Sequence, residues 1–204
     1  YYGYAYLGNK EYDKAIDMFN KSLEENKDND ADKSDALKNI ANAYNEKGDF
    51  TNATATYDKY LKSLKQITAV DYNTLATMYM AQTEKLTGTA QKEAYDKADG
   101  VYAEMAEKFP SAADFATYQR AHIGFALDPE TKTGAAKPHY EKLIEIIKGH
   151  TEKGNRDDER LIEAYRYLGY YYMLKNDNAT AKGYWEKVLE LDPENTVAKQ
   201  ALGK

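Results

Sequence analysis

The stretch Tyr165–Pro193, which reads YRYLGYYYMLKNDNATAKGYWEKVLELDP, decides the fold of this chain. Large aromatic side chains recur through it at helical intervals, with small residues at Gly169 and Ala181 between them. Apolar residues three and four apart predict amphipathic helices, and Pro193 predicts the end of the second one. We therefore predict two helices whose backbones approach closely at the small residues, with the rings filling the space beside them.

The same spacing recurs near the beginning of the chain, most fully in residues 37–57, LKNIANAYNEKGDFTNATATY. A Tyr is followed nine residues later by an Ala in three places. Self-similarity of this kind is the signature of a repeat architecture. The three pairs are Tyr6–Ala15, Tyr44–Ala53 and Tyr172–Ala181.

Two weaker copies of this repeated pattern lie between these segments. In the first copy, residues Tyr72–Tyr79 predict one helix and residues Ala98–Met105 predict its partner helix. This second helix comes later in the sequence than the repeat spacing requires. The segment 84–97, EKLTGTAQKEAYDK, either lengthens the turn or extends the second helix backward. In the second copy, Tyr118–Phe125 predicts a helix that Asp128-Pro129 ends, because proline disfavours helix in the preceding residue.

The frame from Tyr165 to Pro193 resembles the tetratricopeptide repeat, W-x2-L-G-x2-Y…A-x3-F…P, with Tyr165 and Trp185 replacing its Trp and Phe. The resemblance implies an all-α fold, a right-handed α-solenoid of antiparallel helix pairs roughly 10 to 16 residues long. It covers 1–204 as a single solenoid, which we expect to be a fragment of a longer chain. The expected repeats are approximately 1–27, 35–66, 69–110, 113–148 and 160–194, with an end helix at 196–204.

Two polar stretches, 23–35 and 148–160, are interpreted as connections between repeats. The acidic run Asp157-Asp158-Glu159 falls in the second stretch and is interpreted as a solvated loop. Twenty tyrosines against five phenylalanines indicate many half-buried rings whose hydroxyls reach water or a polar partner.

Composition excludes several kinds of site. The 204 residues include no cysteine, which excludes disulfides, thiolate nucleophiles and Cys-ligated zinc. The formal charge of −6 argues against a nucleic-acid partner. No apolar run approaches the roughly 20 residues of a membrane helix, so we expect no membrane insertion. The compartment, cytoplasmic or periplasmic, stays open.

The sequence contains no recognisable catalytic or metal motif. His122, His139 and His150 have no second ligand in a metal-binding spacing, so we interpret them as surface residues. The glycines are isolated, and no phosphate-binding loop is formed. Because no acid, base and nucleophile converge, we expect a protein that is not an enzyme and needs no cofactor or metal.

In the tetratricopeptide repeat family, the first helices of successive repeats line a concave groove that commonly binds a peptide. The resemblance therefore implies that partner-binding residues lie on these first helices, outside the apolar face that packs into the core. Tyr170 and Met173 offer adaptable apolar contact, and the polar donors favour a partner that bears carboxylates. The expected groove residues are Tyr4, Leu7, Lys38, Asn42, Asn45, Asn73, Thr77, Met80, Gln119, Arg120, Ile123, Arg166, Tyr170 and Met173.

Some family members bind the C-terminal carboxylates of a partner through Lys, Asn, Asn, Lys and Arg. Lys38 and Asn42 match the first two of these, Asn73 is one residue away from the third, and Arg120 matches the last. Ala116 stands where the second Lys belongs, so binding of this kind is not expected.

The favoured function is a non-catalytic scaffold that holds a peptide or helix of a partner protein in its concave groove. The alternatives are a structural or self-association module, or an accessory domain of a larger multidomain protein.

Overall fold

The computed structural model describes residues 2–26 and 28–204; Tyr1 and Lys27, the ends of the first predicted repeat, lie outside this description. Across the described residues the chain is helical and has no strand, so the predicted all-α class is confirmed. A short 3-10 turn occupies Pro110–Ala112. The α-helices of the described residues are α1 (Tyr2–Gly8), α2 (Tyr12–Glu25), α3 (Asp30–Lys47), α4 (Phe50–Ser63), α5 (Ala69–Thr83), α6 (Gly88–Lys108), α7 (Ala113–Leu127), α8 (Lys137–Lys148), α9 (Asp157–Leu174), α10 (Asn178–Leu191) and α11 (Thr196–Ala201).

The helices form two compact units, Tyr1–Val101 and Tyr102–Lys204, and the boundary between them falls within α6. In each unit the helices pack mainly against their neighbours along the chain, which is the contact pattern of a repeat array. The single solenoid expected over 1–204 stays a prediction.

The first unit is built on two apolar clusters. In the first cluster, Ala15, Ile16 and Phe19 of α2 pack with residues of α3. The second cluster joins α3, α4 and α5 and includes the fully buried Tyr57. Half-buried rings border both clusters, as the tyrosine content predicted; they include Tyr6, Tyr44 and Tyr79.

The turns within two of the helix pairs share one local design. Gly48 has a left-handed backbone with φ of 83°, and Asp49 caps α4 by accepting a hydrogen bond from the Asn52 N–H. In the last pair Asn176 takes the left-handed conformation and Asp177 caps α10. A left-handed residue reverses the chain, and the Asp side chain satisfies an N–H that the helix leaves unpaired.

The second unit has one continuous core that the helices α7 to α11 share, and Trp185, only 4% exposed, lies within it. A Cβ added at Gly169 would lie 2.7 Å from the Trp185 ring. The close neighbour of Gly169 is therefore a side chain, whereas the prediction placed two backbones in contact there. Such a backbone approach occurs at Gly124, where an added Cβ would lie 2.7 Å from the Ala136 Cα.

Several element boundaries differ from the sequence-based expectation. The insertion at 84–97 extends the second helix backward, since α6 begins at Gly88 and has 21 residues. Helices α3 and α9 have 18 residues each, so the expected upper length was too short. Most of the stretch 23–35 is helical, because Asn29 caps α3 and acidic residues fill its first turn, where the helix dipole favours them.

Two interpretations of the second unit can also be compared with the structure. Asp157 begins α9 and is 4% exposed, so the run Asp157-Asp158-Glu159 is not a solvated loop. Its carboxylate accepts a hydrogen bond from Gly154 N–H at 2.7 Å and lies 2.9 Å from His150 Nδ1. Burial alone would raise the pKa of Asp157, but these hydrogen bonds hold it below its ordinary value. The predicted end of α7 before Asp128 is confirmed.

Candidate functional site

A groove of about 840 Å³ lies in the second unit between α7, α9 and the beginning of α11. Its lining combines aromatic and apolar side chains with a small number of polar ones, as is usual for a ligand-binding groove. The residues that line it are His122, Phe125, Pro129, Thr131, Tyr140, Glu163, Arg166, Tyr167, Tyr170, Trp185 and Val197.

The carboxylate of Glu163 joins three helices at this groove. Tyr118 of α7 donates its hydroxyl to Oε2 at 2.6 Å, and Tyr140 of α8 donates to Oε1 at 2.7 Å. His122 Nε2 lies 2.6 Å from the same Oε1. An ionised carboxylate can only accept, so this His122 nitrogen carries the proton.

These contacts determine the charge of Glu163. Burial opposes ionisation, but the hydrogen bonds from His122, Tyr118 and Tyr140 lower the pKa of Glu163 to about 2. Burial and the neighbouring carboxylate both raise the pKa of the Tyr118 and Tyr140 hydroxyls. At neutral pH the cluster therefore contains one carboxylate and two neutral phenols.

A partly buried ion pair supports α7 and α9 next to this cluster. Arg160 of α9 pairs through Nη1 with Asp114 of α7, and its guanidinium carbon lies 5.4 Å from the centroid of the Tyr118 ring. A guanidinium over an aromatic face is an attractive arrangement, so Arg160 both neutralises Asp114 and holds the Tyr118 ring in place.

The loop after α7 is held by Asp128. Its carboxylate accepts N–H bonds from Lys132, Thr133 and Gly134 at 2.8 to 2.9 Å. Gly134 has φ of 76°, and an added Cβ would lie 2.4 Å from the Tyr171 ring, so the position requires glycine. This arrangement fixes the edge of the groove at Thr131.

The groove leaves several groups without a partner inside the protein. Phe125 and Tyr170 are 45% and 47% exposed. Among the described residues, Arg166 forms no ion pair, although it is exposed and lines the groove. The Tyr167 hydroxyl and Thr131 Oγ1, in contrast, are buried and lie next to each other.

Three segments of the chain match models of the tetratricopeptide repeat: residues 2–29 and 34–63 match one model, and residues 162–195 match a second. These three segments are tetratricopeptide repeats. Proteins of this family are generally non-catalytic scaffolds for protein–protein interaction. No curated protein matches the chain.

Solved structures of tetratricopeptide repeat proteins resemble the chain over nearly its whole length. The C-terminal part of a repeat-containing protein from Cytophaga hutchinsonii is 24% identical, with 98% of each chain covered and a TM-score of 0.48. A thermophilic repeat protein of Thermus thermophilus is 18% identical, with 99% and 96% covered and a TM-score of 0.46. A MamA RS-1 double mutant is 17% identical, with 96% and 93% covered and a TM-score of 0.52, and shows the same fold.

Within the last repeat, the structure brings two predicted groove residues, Arg166 and Tyr170, to the groove. Met173 lies beside it and is 41% exposed, and the Trp185 indole N–H points to its Sδ at 3.2 Å. The prediction for Ile123 is wrong, because this side chain is 2% exposed and belongs to the interior. Gln119 and Arg120 are half-buried on α7 and do not line the groove.

Two groove residues that the sequence analysis missed also lie on α7, on a different face from Gln119 and Arg120. His122 was interpreted as a surface residue and Phe125 was assigned only to a predicted helix, yet both line the groove. The available signal was their spacing of three, which puts both on one face of α7, as the spacing of Glu163, Arg166 and Tyr170 does on α9.

In the first unit, the predicted residues do not form one site. Asn42 and Asn45 line a depression of about 550 Å³ with Tyr4 and Leu7. Lys38 is directed elsewhere, since its Nζ lies 5.6 Å from the centroid of the Tyr60 ring. The remaining three lie on α5: Asn73 and Met80 are half-buried, and Thr77 is exposed.

The described residues contain no group of His, Cys, Asp and Glu able to hold a metal ion. Among the helices described, none is long and apolar enough to cross a membrane.

Proposed function

We propose that the protein is a non-catalytic interaction scaffold whose second unit binds a segment of a partner protein in the groove of α7, α9 and α11. The observation that carries the proposal is the pair of exposed rings, Phe125 and Tyr170, that line the groove. Exposed aromatic side chains in a concave site are typical anchors of binding energy.

The charges of the groove favour a segment that carries a carboxylate next to an apolar side chain. Glu163 is already occupied by three hydrogen-bond contacts. The guanidinium of Arg166 is the charged group left for a ligand, and charge-assisted bonds from arginine to a carboxylate are strong. The net charge of −6 weakens long-range attraction, so we expect an affinity on the order of micromolar.

The test is a selection from random displayed peptides, followed by titration of the recovered peptides against variants. Tyr170→Ala should weaken binding by about 1–2 kcal/mol or more, and Arg166→Ala should weaken binding of acidic peptides, with unchanged melting temperature. Tyr2→Ala and Arg156→Ala are matched controls, because both side chains are exposed and lie outside the groove. Selected peptides that bind all four variants equally would contradict the groove proposal.

Self-association is the alternative to binding of a partner protein. Phe125, Tyr170 and Val197 together expose apolar surface along the groove, and a second copy of the chain could cover this surface. Sedimentation of the protein over a range of concentrations gives the answer. A concentration-dependent dimer that Tyr170→Ala abolishes would assign the groove to a second copy of the chain.

A further inference from the structure

A second surface with its own chemistry lies in the first unit. A depression of about 690 Å³ is formed where the end of α2, the beginning of α3 and the end of α4 meet. Leu23 and Leu37 contribute its apolar part; Leu37 is 7% exposed, and Leu23 packs against both clusters of the unit. The depression therefore has a preformed floor that belongs to the core.

The rim of the depression is positively charged in an acidic protein. Lys33, Lys59 and Lys62 all line it and are exposed, and in the described part of the chain none of them forms an ion pair. Glu24 is the one carboxylate of the lining. Several other exposed lysines of the chain differ in this respect, since they are paired with nearby carboxylates; examples are Lys14, Lys47 and Lys92.

The polar atoms around the lysines are already satisfied. The Ser63 hydroxyl, which also lines the depression, donates to the Tyr60 carbonyl at 2.6 Å and lies 2.8 Å from Ser34 Oγ. The Asp58 carboxyl, four residues before Lys62, is half-buried, and this burial raises its pKa although Lys62 acts in the opposite direction. The ammonium groups are thus the groups available to an incoming ligand.

From this arrangement we propose that the lysine-rimmed depression binds a short acidic polypeptide segment of a partner, with an apolar side chain seated on Leu23 and Leu37. Three cations around an apolar floor match a segment in which Asp or Glu residues flank a Leu or Phe. A long polyanion such as nucleic acid does not fit, because the net charge of −6 repels whatever extends past the depression. The site is separate from the groove in the second unit and goes beyond the function proposed for that groove.

The experiment uses displayed peptides of eight residues composed of Asp, Glu, Leu, Phe, Ser and Gly. Peptides selected on the whole chain should combine acidic residues with Leu or Phe. A synthetic copy should bind about tenfold more weakly to the triple variant Lys33→Gln, Lys59→Gln, Lys62→Gln. Binding should also weaken between about 50 and about 300 mM NaCl, because exposed charges are screened.

Two control proteins separate this site from the alternatives. The triple variant Lys21→Gln, Lys148→Gln, Lys204→Gln removes the same charge from exposed lysines outside the depression, and its affinity should stay within about twofold of wild type. The Arg166→Ala, Tyr170→Ala variant should also retain binding. Each of three results would overturn the proposal. They are a failure to select any peptide, an equal loss of affinity in both triple lysine variants, and a loss of affinity only in the Arg166→Ala, Tyr170→Ala variant. The last result would instead assign the acidic segment to the groove.

Discussion

Gly169 and Gly183 lie in the two helices of the last repeat, and their surroundings differ. A Cβ at Gly169 would meet the Trp185 ring at 2.7 Å, whereas a Cβ at Gly183 would have no neighbour within 4 Å. We predict that Gly169→Ala destabilises the protein by roughly 1–3 kcal/mol through overpacking. Gly183→Ala should stabilise it by about 0.5–1 kcal/mol, because alanine favours a helix interior.

Urea unfolding of the two variants measures this difference directly. Equal effects of the two substitutions would mean that Trp185 does not pack on Gly169. A further check is Gly169→Ala combined with Trp185→Leu, in which the two penalties should not add because the substitutions share one contact.

At the scale of elements, Glu163 of α9 holds α7 and α8 through Tyr118, His122 and Tyr140. Its pKa of about 2 in the folded protein lies below that of an ordinary glutamate. A depressed folded-state pKa contributes stability above the unfolded-state pKa, and this contribution is lost as the pH falls toward the folded-state value. Glu163→Gln should therefore be less stable than wild type at pH 5, and the difference should shrink between pH 5 and pH 2.

Urea unfolding of wild type and Glu163→Gln at several pH values gives the comparison. Glu152→Gln serves as the control, because Glu152 is exposed in the connector before α9. The control should show no pH-dependent difference from wild type. A constant difference between Glu163→Gln and wild type over this range would show that the cluster does not depend on the charge of Glu163.

For the whole molecule, contacts between neighbouring helices predict local rather than uniform responses to damage. Ala53 and Ala181 are buried in different units, and replacing either with Leu should cost roughly 1–3 kcal/mol. Amide hydrogen exchange should become faster in α3 and α4 for Ala53→Leu, and in α9 and α10 for Ala181→Leu. An equal increase along the chain for both variants would indicate one cooperative unit instead.

The sequence by itself determined where the repeats lie. Each repeat is defined by residues that recur at helical spacing and must be buried, so the pattern is visible in the sequence alone. Tyr57, Ala53, Ala181 and Leu168 all occupy the interior where the spacing places them. The end of α7 was equally predictable, since Pro129 acts on the local backbone and needs no distant partner. Arg166 and Tyr170 could be placed off the buried face of α9 because the last repeat follows the family pattern closely, and their role in partner binding stays a prediction.

Only the tertiary structure decided which other side chains meet. Glu163 and Tyr118 are 45 residues apart in sequence, so no local pattern indicates that they share a hydrogen bond. In the degenerate repeat the sequence pattern no longer defines the rotation of α7, and this is why Ile123 was expected on the groove face although it is buried. The lysine-rimmed depression likewise depends on three helix ends meeting. Periodicity specifies which face of a helix is buried, but the neighbours of an exposed side chain follow from how the helices pack.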